Sequence, residues 1–262
     1  MSSSSDAQAA EAPRPAAARP ASATVMVRTR AEGGIEVFMV RRHVQSEFVP
    51  DVYVFPGGSV KDADREVENA PDICAAAGEG PTALGTGFRA AAIRELFEEA
   101  GALIARKDGL SLSVTLEDLP RLKAYRNGLN EKTTTLLHVA QEDGLTLATD
   151  ILLHWAHWIT PEAWPKRFDT HFFLVEAPIG QEPAHDDLET THSVWITPED
   201  ALAGYERGEF PLVFATIHQL RELLGLRDMA MARARFNDTI PQTIMPRIGH
   251  RDGKDVILLP WE

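Results

Sequence analysis

Phe55-Pro56-Gly57-Gly58, and further along Arg94-Glu95-Leu96-Phe97-Glu98-Glu99-Ala100-Gly101, decide how this chain is read. Glu95, Glu98 and Glu99 stand at i, i+3 and i+4, so a helix places all three carboxylates on one face. Ile93, Leu96, Phe97 and Ala100 then fall on the opposite face, where a core takes them. Like charges at these spacings repel unless a cation lies among them. Hard carboxylate oxygens suit Mg²⁺ or Mn²⁺. A Glu-rich helix is more often just a solvated face. The Gly-Gly pair, the Arg and the closing Gly, occurring together, favour a metal site.

These residues resemble the Nudix box, which marks hydrolases of a diphosphate linked to some other moiety. The family pattern is Gly, five residues, Glu, seven residues, Arg-Glu, an aliphatic, any residue, Glu-Glu, any residue, Gly. Its second half is complete from Arg94 to Gly101. Its first half departs. Five residues after Gly58 lead to Asp64, an acidic stand-in for Glu, and 29 residues then separate Asp64 from Arg94, an insertion of 22. A second threading from Gly80 keeps the usual spacing but puts Thr86 where Glu belongs. Gly58 is preferred, because Phe-Pro-Gly-Gly after an apolar run resembles the family's strand-to-loop junction.

At 262 residues the chain holds one large domain or two small ones. With 44% hydrophobic and 25% charged residues it reads as soluble and globular. A single cysteine, Cys74, excludes a disulfide framework and fits a reducing compartment. No apolar run reaches the roughly 18 residues of a membrane span. Residues 1–22, mostly Ser, Ala and Pro without an apolar core, read as a disordered tail and not a signal peptide. The terminal Leu-Pro-Trp-Glu carries no recognised address, and a cytoplasmic location is expected. A formal charge of −13 without a basic stripe argues against nucleic acid as a partner. The same charge means that a phosphate substrate needs divalent metal to reverse the local field. The partner expected is a small-molecule diphosphate, with no membrane, and the oligomeric state stays open between monomer and homodimer.

Thr24–Arg30 and Ile35–Arg41 read as strands joined by a Gly33-Gly34 turn, with Val52–Phe55 a third. The main helix spans Phe88 to Ala100 with Gly101 beyond its end. Helices are expected at Leu116–Arg126, Glu131–Glu142 and Phe214–Leu224, and a short one at Pro198 capped by Thr197. Strands are expected at Leu152–Thr160, His171–Ala177, His192–Thr197 and Val256–Leu259. The fold class that accounts for this order is α/β, a Nudix-type α/β/α sandwich with a mixed sheet and extra helices. It occupies 23–262, with 61–86 inserted in the box and 110–145 a helical insertion.

The resemblance implies site roles. Glu98 and Glu99 hold the metal, and Glu95 is a further ligand or the base that orients water. A backbone carbonyl of Gly57 or Gly58 completes the shell, and Arg94 pairs with a box carboxylate. Glu189, in Asp186-Asp187-Leu188-Glu189, is the candidate acid from outside the box, with Asp186 and Asp187 as alternatives. Apart from the resemblance, Arg41, Arg42 and Arg167 are candidate substrate contacts that with Lys166 could supply positive charge for a phosphate, each being equally readable as a solvated surface residue. In His154-Trp155-Ala156-His157-Trp158, strand alternation sends His154 and His157 to opposite faces, which disfavours joint ligation. One of these tryptophans could stack on a base.

Phe48-Val49-Pro50, the box insertion and Arg167-Phe168-Asp169-Thr170-His171-Phe172-Phe173 resemble the insertion-bearing Nudix branch that includes the animal peroxisomal coenzyme A diphosphatase. That implies coenzyme A or acyl-coenzyme A as substrate. Glu47 and Asp51 replace an Arg and a Gly of the coenzyme A signature, and acidic groups there would repel a 3′-phosphate. ADP-ribose or NADH follows as an alternative. A non-catalytic sensor of a nucleotide derivative is a further reading, but it has no need for Glu95, Glu98 and Glu99. An isomerase would need a cysteine with a partner acid, and Cys74 has none evident.

Overall fold

The structure is a computed structural model that describes residues 15–46, 48–75, 84, 87–186, 188–237, 239–251 and 253–262. The chain opens with β1 (Arg19–Thr29) and β2 (Ile35–Arg42), joined by the expected Gly33-Gly34 turn, in which both glycines have positive φ. Strand β1 starts at Arg19, and Ala21 and Ser22 are already buried, so the boundary expected after Ser22 lies too far along the chain. Two short strands follow, β3 (Tyr53–Val54) and β4 (Gly57–Ser59). The Gly-Gly pair, expected as a loop, is therefore strand.

The box insertion begins as helix α1 (Asp62–Glu68), and the box helix itself is α2 (Phe88–Ala100). Thr86, of the alternative threading, lies outside the described residues. A small sheet of β5 (Ala105–Lys107), β6 (Leu110–Ser111) and β7 (Leu145–Leu147) brackets α3 (Leu119–Asn130) and α4 (Leu136–Asp143). These two helices start three to five residues later than expected because Asp118 and Thr135 are their N-caps, the Thr135 hydroxyl accepting from His138 N–H.

Next come β8 (Leu153–Ile159), β9 (Phe168–Glu176), β10 (Thr190–Ile196), α5 (Pro198–Glu206), α6 (Phe214–Leu223) and α7 (Met229–Phe236). The chain ends with β11 (Thr243–Ile244) and a hairpin of β12 (Arg247–Arg251) and β13 (Lys254–Leu258). Thr197 caps α5 as expected, accepting from Asp200 N–H.

The main sheet runs β10-β2-β1-β9-β8-β11 and is mixed, since β1 pairs β9 in parallel and β2 antiparallel. Strands β1 and β2 pair only near their turn. Further along they part, and β4 takes up β1 at Ala21–Ala23 while β3 takes up β2 at Val40 and Arg41. This split sets the Gly57-Gly58 strand under α2. One core lies between the sheet and α2, with Met26, Phe38, Ile93, Leu96, Phe97 and Phe173. A second covers the other face, with Val25, Met39, Trp155, Leu174 and Leu220. The architecture is the expected α/β/α sandwich.

Helix α2 is fastened at every level. The Ser22 and Thr24 hydroxyls donate to the carbonyls of Phe88 (2.7 Å) and Ala92 (3.0 Å). Glu68 of α1 accepts from the backbone N–H groups of Gly87, Arg89 (2.7 Å) and Ala90 (3.0 Å), at the helix end where N–H groups lack partners. At the other end Arg126 of α3 donates to the carbonyls of Glu98 and Glu99, each at 2.8 Å. Both insertions thus clamp the box helix, one at each terminus. Glu68→Ala is expected to lower the unfolding free energy by about 1–3 kcal/mol in urea denaturation, and Glu68→Gln, which keeps an acceptor, by less. An alanine variant as stable as the parent would show that the helix start is held by other means.

Candidate active site

The site is built around Arg94. Its Nε donates to Asp64 Oδ1 (2.7 Å), Nη1 to Glu95 Oε1 (2.7 Å) and Glu98 Oε2 (2.9 Å), and Nη2 to Asp64 Oδ2 (2.9 Å) and the Ser59 carbonyl (2.9 Å). All five N–H donors of the guanidinium are used. The fork held by Asp64 is the bidentate pairing that Arg forms best. Gly58, followed by Asp64, is thereby the threading of the box that the geometry favours. The insertion follows the acidic residue and leaves its place intact.

The three box carboxylates are not a solvated face. Asp64 is 1% exposed, Arg94 3%, Glu95 7%, Glu98 8% and Glu99 7%. Glu99 accepts from Gly57 N–H at 3.0 Å. Gly58 has no room for a side chain, since a Cβ there would sit 2.6 Å from the Glu95 carboxyl carbon. At Gly57 it would sit 2.5 Å from the Ser22 carbonyl oxygen. Both positions need glycine because of close approach, not because of a left-handed backbone.

Four buried carboxylates face one buried guanidinium. A further cation, Lys61, places its Nζ 3.7 Å from Glu98 Oε1. That oxygen is buried without a hydrogen-bond partner. Burial pushes the Glu98 carboxyl up to about 7, with the Glu95 charge adding to it and Arg94 and Lys61 opposing. Burial also raises Glu95 and, well above the usual carboxylate range, Glu99, whose rise the Glu95 charge reinforces. Burial alone would lower the pKa of Arg94, but Asp64, Glu95 and Glu98 together raise it. An orphaned oxygen, excess negative charge and a glycine cradle fit a hard divalent cation, and the donor set is all oxygen.

Of the residues expected outside the box, Glu189 reaches the site, and its charge raises both Glu95 and Glu99. Its backbone is set by Asp186, whose carboxylate accepts from the N–H groups of Leu188 (3.1 Å), Glu189 (3.2 Å) and Thr190 (3.0 Å). Asp186 is thus the staple of this loop, and Asp187 lies outside the described residues. Arg42 faces the site, its charge acting on Glu99, and its Nη1 donates to the Phe48 carbonyl at 3.0 Å. Arg41, one residue earlier, points to the other face of the sheet and pairs with Asp51 at 2.9 Å. Its expected substrate contact is not supported, and the Asp51 charge is compensated there. Arg167 is also misassigned. Buried at 8% exposure, its guanidinium donates to the carbonyls of Thr160 (3.0 Å) and Ala16 (2.7 Å) and to Met245 Sδ (3.5 Å), which makes it a structural tie.

Lys61, Glu68 and Arg126 were not anticipated. Glu68 was legible in principle, standing four residues after Asp64 and so on the same face of α1. Beside the carboxylates opens a cavity of about 430 Å³ with Gly57, Gly58 and Arg42 at its wall. Its apolar lining includes Phe48, Trp158, Trp164, Phe168, Phe172 and Phe214.

The family model described as the NUDT19 Nudix domain matches residues 75–223, more than half of the chain. The chain belongs to the Nudix family. It is 32% identical to a nudix hydrolase 7 of Caenorhabditis elegans over 73% of this chain and 57% of that protein. It is 26% identical to the human acyl-coenzyme A diphosphatase NUDT19, over 80% of this chain and 67% of the relative, and 25% identical to the Xenopus laevis protein of that name, over 65% and 55%. The chain thus spans little more than half the length of the first of these relatives. Among solved structures, a NUDIX hydrolase from Alicyclobacillus acidocaldarius superposes with a TM-score of 0.71 at 27% identity, covering 86% of this chain and 97% of that one. The Nudix domain contains no described helix long and apolar enough to cross a membrane.

The raised carboxylates make a pH prediction for protein kept in chelator. A carboxylate whose folded pKa exceeds its unfolded value binds more protons when folded, so it stabilises at low pH and that contribution is lost as pH rises. For Glu98 the window runs from 4.5 to about 7. Unfolding free energy, followed by urea denaturation, should fall across it, and Glu98→Gln should flatten the fall. A parallel slope in the variant would contradict the assignment.

Proposed function

We propose that this Nudix domain hydrolyses a diphosphate that links a nucleoside to another moiety, with Mg²⁺ or Mn²⁺ as cofactor. The observation that carries this reading is the buried set Asp64, Glu95, Glu98 and Glu99 against the single buried Arg94. Glu98 and Glu99 would hold the cation with a carbonyl of Gly57 or Gly58, and Glu95 would be a further ligand or the base. When bound, the cation neutralises phosphate charge and lowers the pKa of attacking water. Arg94 fixes the orientation of Glu95 and Glu98, leaving Glu95 or Glu189 to accept the proton of the water. Arg42, which lines the cavity and whose charge acts on Glu99, is the candidate contact for a phosphate oxygen.

Coenzyme A or acyl-coenzyme A is the substrate class proposed first. The similarity to proteins named acyl-coenzyme A diphosphatase supports it. So does an aromatic cavity opening beside Gly57 and Gly58, which suits an acyl or pantetheine chain or an adenine ring. Arg41 pairing with Asp51 removes part of the objection that an acidic loop would repel a 3′-phosphate. ADP-ribose and NADH are the alternatives. The complete carboxylate set weighs against a sensor that binds without cleavage.

Purified protein with Mg²⁺ or Mn²⁺, given coenzyme A, acyl-coenzyme A, ADP-ribose, NADH and nucleoside triphosphates, is expected to split coenzyme A or its thioesters, with products identified by mass. Glu98→Gln and Glu99→Gln should each reduce turnover by roughly 10²-fold or more. Near-parental rates in both would remove the metal-ligand assignment, and tight binding of one compound without cleavage of any would favour a sensor.

A further inference from the structure

His154, His157, Asp169 and His171 meet at the far end of β8 and β9, near the N-terminal end of α2. Strand alternation alone would separate His154 from His157. A bulge in β8 shifts its register on β9, from His154 opposite Phe173 to Ala156 opposite Phe172, and so places His157 directly across from His171. The extra residue returns both histidines to the neighbourhood of His171, against the expectation from sequence.

The arrangement of ring nitrogens is specific. His171 Nδ1 lies 2.9 Å from His154 Nε2, and His157 Nδ1 lies 2.8 Å from the Thr243 hydroxyl. Each ring is thereby held by its Nδ1, leaving Nε2 for another partner. His157 Nε2 is 2.5 Å from Asp169 Oδ1, and His171 Nε2 is 4.0 Å from the same oxygen. One ligand atom from each of His157, Asp169 and His171 lies within 4.8 Å of the other two. A ligating imidazole held through its other nitrogen is the usual outer support of a metal site. The rings of His157 and His171 stack with centroids 3.9 Å apart.

We propose that His157 Nε2, His171 Nε2 and an Asp169 carboxylate oxygen form a second metal site, for a borderline transition-metal ion such as Zn²⁺. Two imidazoles and one carboxylate suit Zn²⁺ or Co²⁺, whereas the all-oxygen set on α2 suits Mg²⁺ or Mn²⁺. The ion takes the place of the His157–Asp169 hydrogen bond, and the ring hydrogen of His157 is then carried on Nδ1 toward the Thr243 hydroxyl. Tetrahedral bonds of about 2.0–2.1 Å need ligand atoms roughly 3.3 Å apart, so loading requires the two rings, now 13° from parallel, to rotate until both Nε2 lone pairs point at the ion. The fourth position faces solvent beside Asp169, whose side chain is 35% exposed. The site would pin β8 to β9 under the start of α2, where His171 also meets the Phe88 ring at 4.5 Å.

The test uses the full chain, stripped with chelator and titrated with Co²⁺ in excess Mg²⁺, reading the visible absorption of the bound ion and its displacement by Zn²⁺. One equivalent is expected to bind in the parent and in Glu98→Gln. Asp169→Asn, which can still hydrogen-bond His157, and His157→Gln should each weaken binding at least roughly tenfold while far-UV dichroism stays native. Loss of binding in Glu98→Gln alone would place the ion at the carboxylates and overturn the proposal. Unchanged affinity in both Asp169→Asn and His157→Gln, or no saturable binding in the parent, would overturn it equally.

Discussion

One buried guanidinium organises this molecule. Arg94 spends all five of its N–H donors on Asp64, Glu95, Glu98 and the Ser59 carbonyl, and so joins α1, α2 and β4 in a single knot. Burying a charge without such partners would cost several kcal/mol. With them, Arg94 does two jobs. It makes tolerable the burial of carboxylates that would otherwise expel one another, and it fixes the direction in which Glu95 and Glu98 point. The compensation is incomplete, since among the described residues Glu99 accepts a hydrogen bond from the Gly57 N–H, with the Arg42 charge acting on it, and Glu98 keeps an unpartnered oxygen. A divalent cation is the complement we propose for it.

The insertions follow from the same constraint. Helix α1 supplies Asp64 to the guanidinium and, one turn on, Glu68 to the N–H groups that open α2. From the other side α3 supplies Arg126 to the carbonyls that close it. A carboxylate-bearing helix with like charges on one face is weak on its own. Here it is gripped at both termini, laid against β1 by Ser22 and Thr24, and packed by Ile93, Leu96 and Phe97. The inserted segments therefore belong to the support of the site.

Much of this was legible in the chain itself. The helical spacing of Glu95, Glu98 and Glu99, with apolar residues on the opposite face, encodes both the box helix and its buried side, and Gly33-Gly34 encodes the first turn. What escaped depended on partners distant in sequence. Arg41 and Arg42 are equivalent as letters, and only the pleat assigns one to the site and the other to Asp51. Arg167 reads in sequence as a candidate substrate contact because nothing adjacent to it reveals the Ala16, Thr160 and Met245 groups around it. The His154–His157 relation was misread for a different reason. A single bulge inverts strand parity, and no residue type in the stretch announces it.

The central claim, that the buried box carboxylates await a divalent cation, is tested most directly by calorimetric titration of Mn²⁺ near neutral pH in two buffers of different ionisation enthalpy. Because ligands must shed protons to bind metal, the account predicts saturable binding with net proton release into the buffer, both diminished in Glu98→Gln. Identical heats in the two buffers, or saturable binding untouched by that substitution, would contradict it.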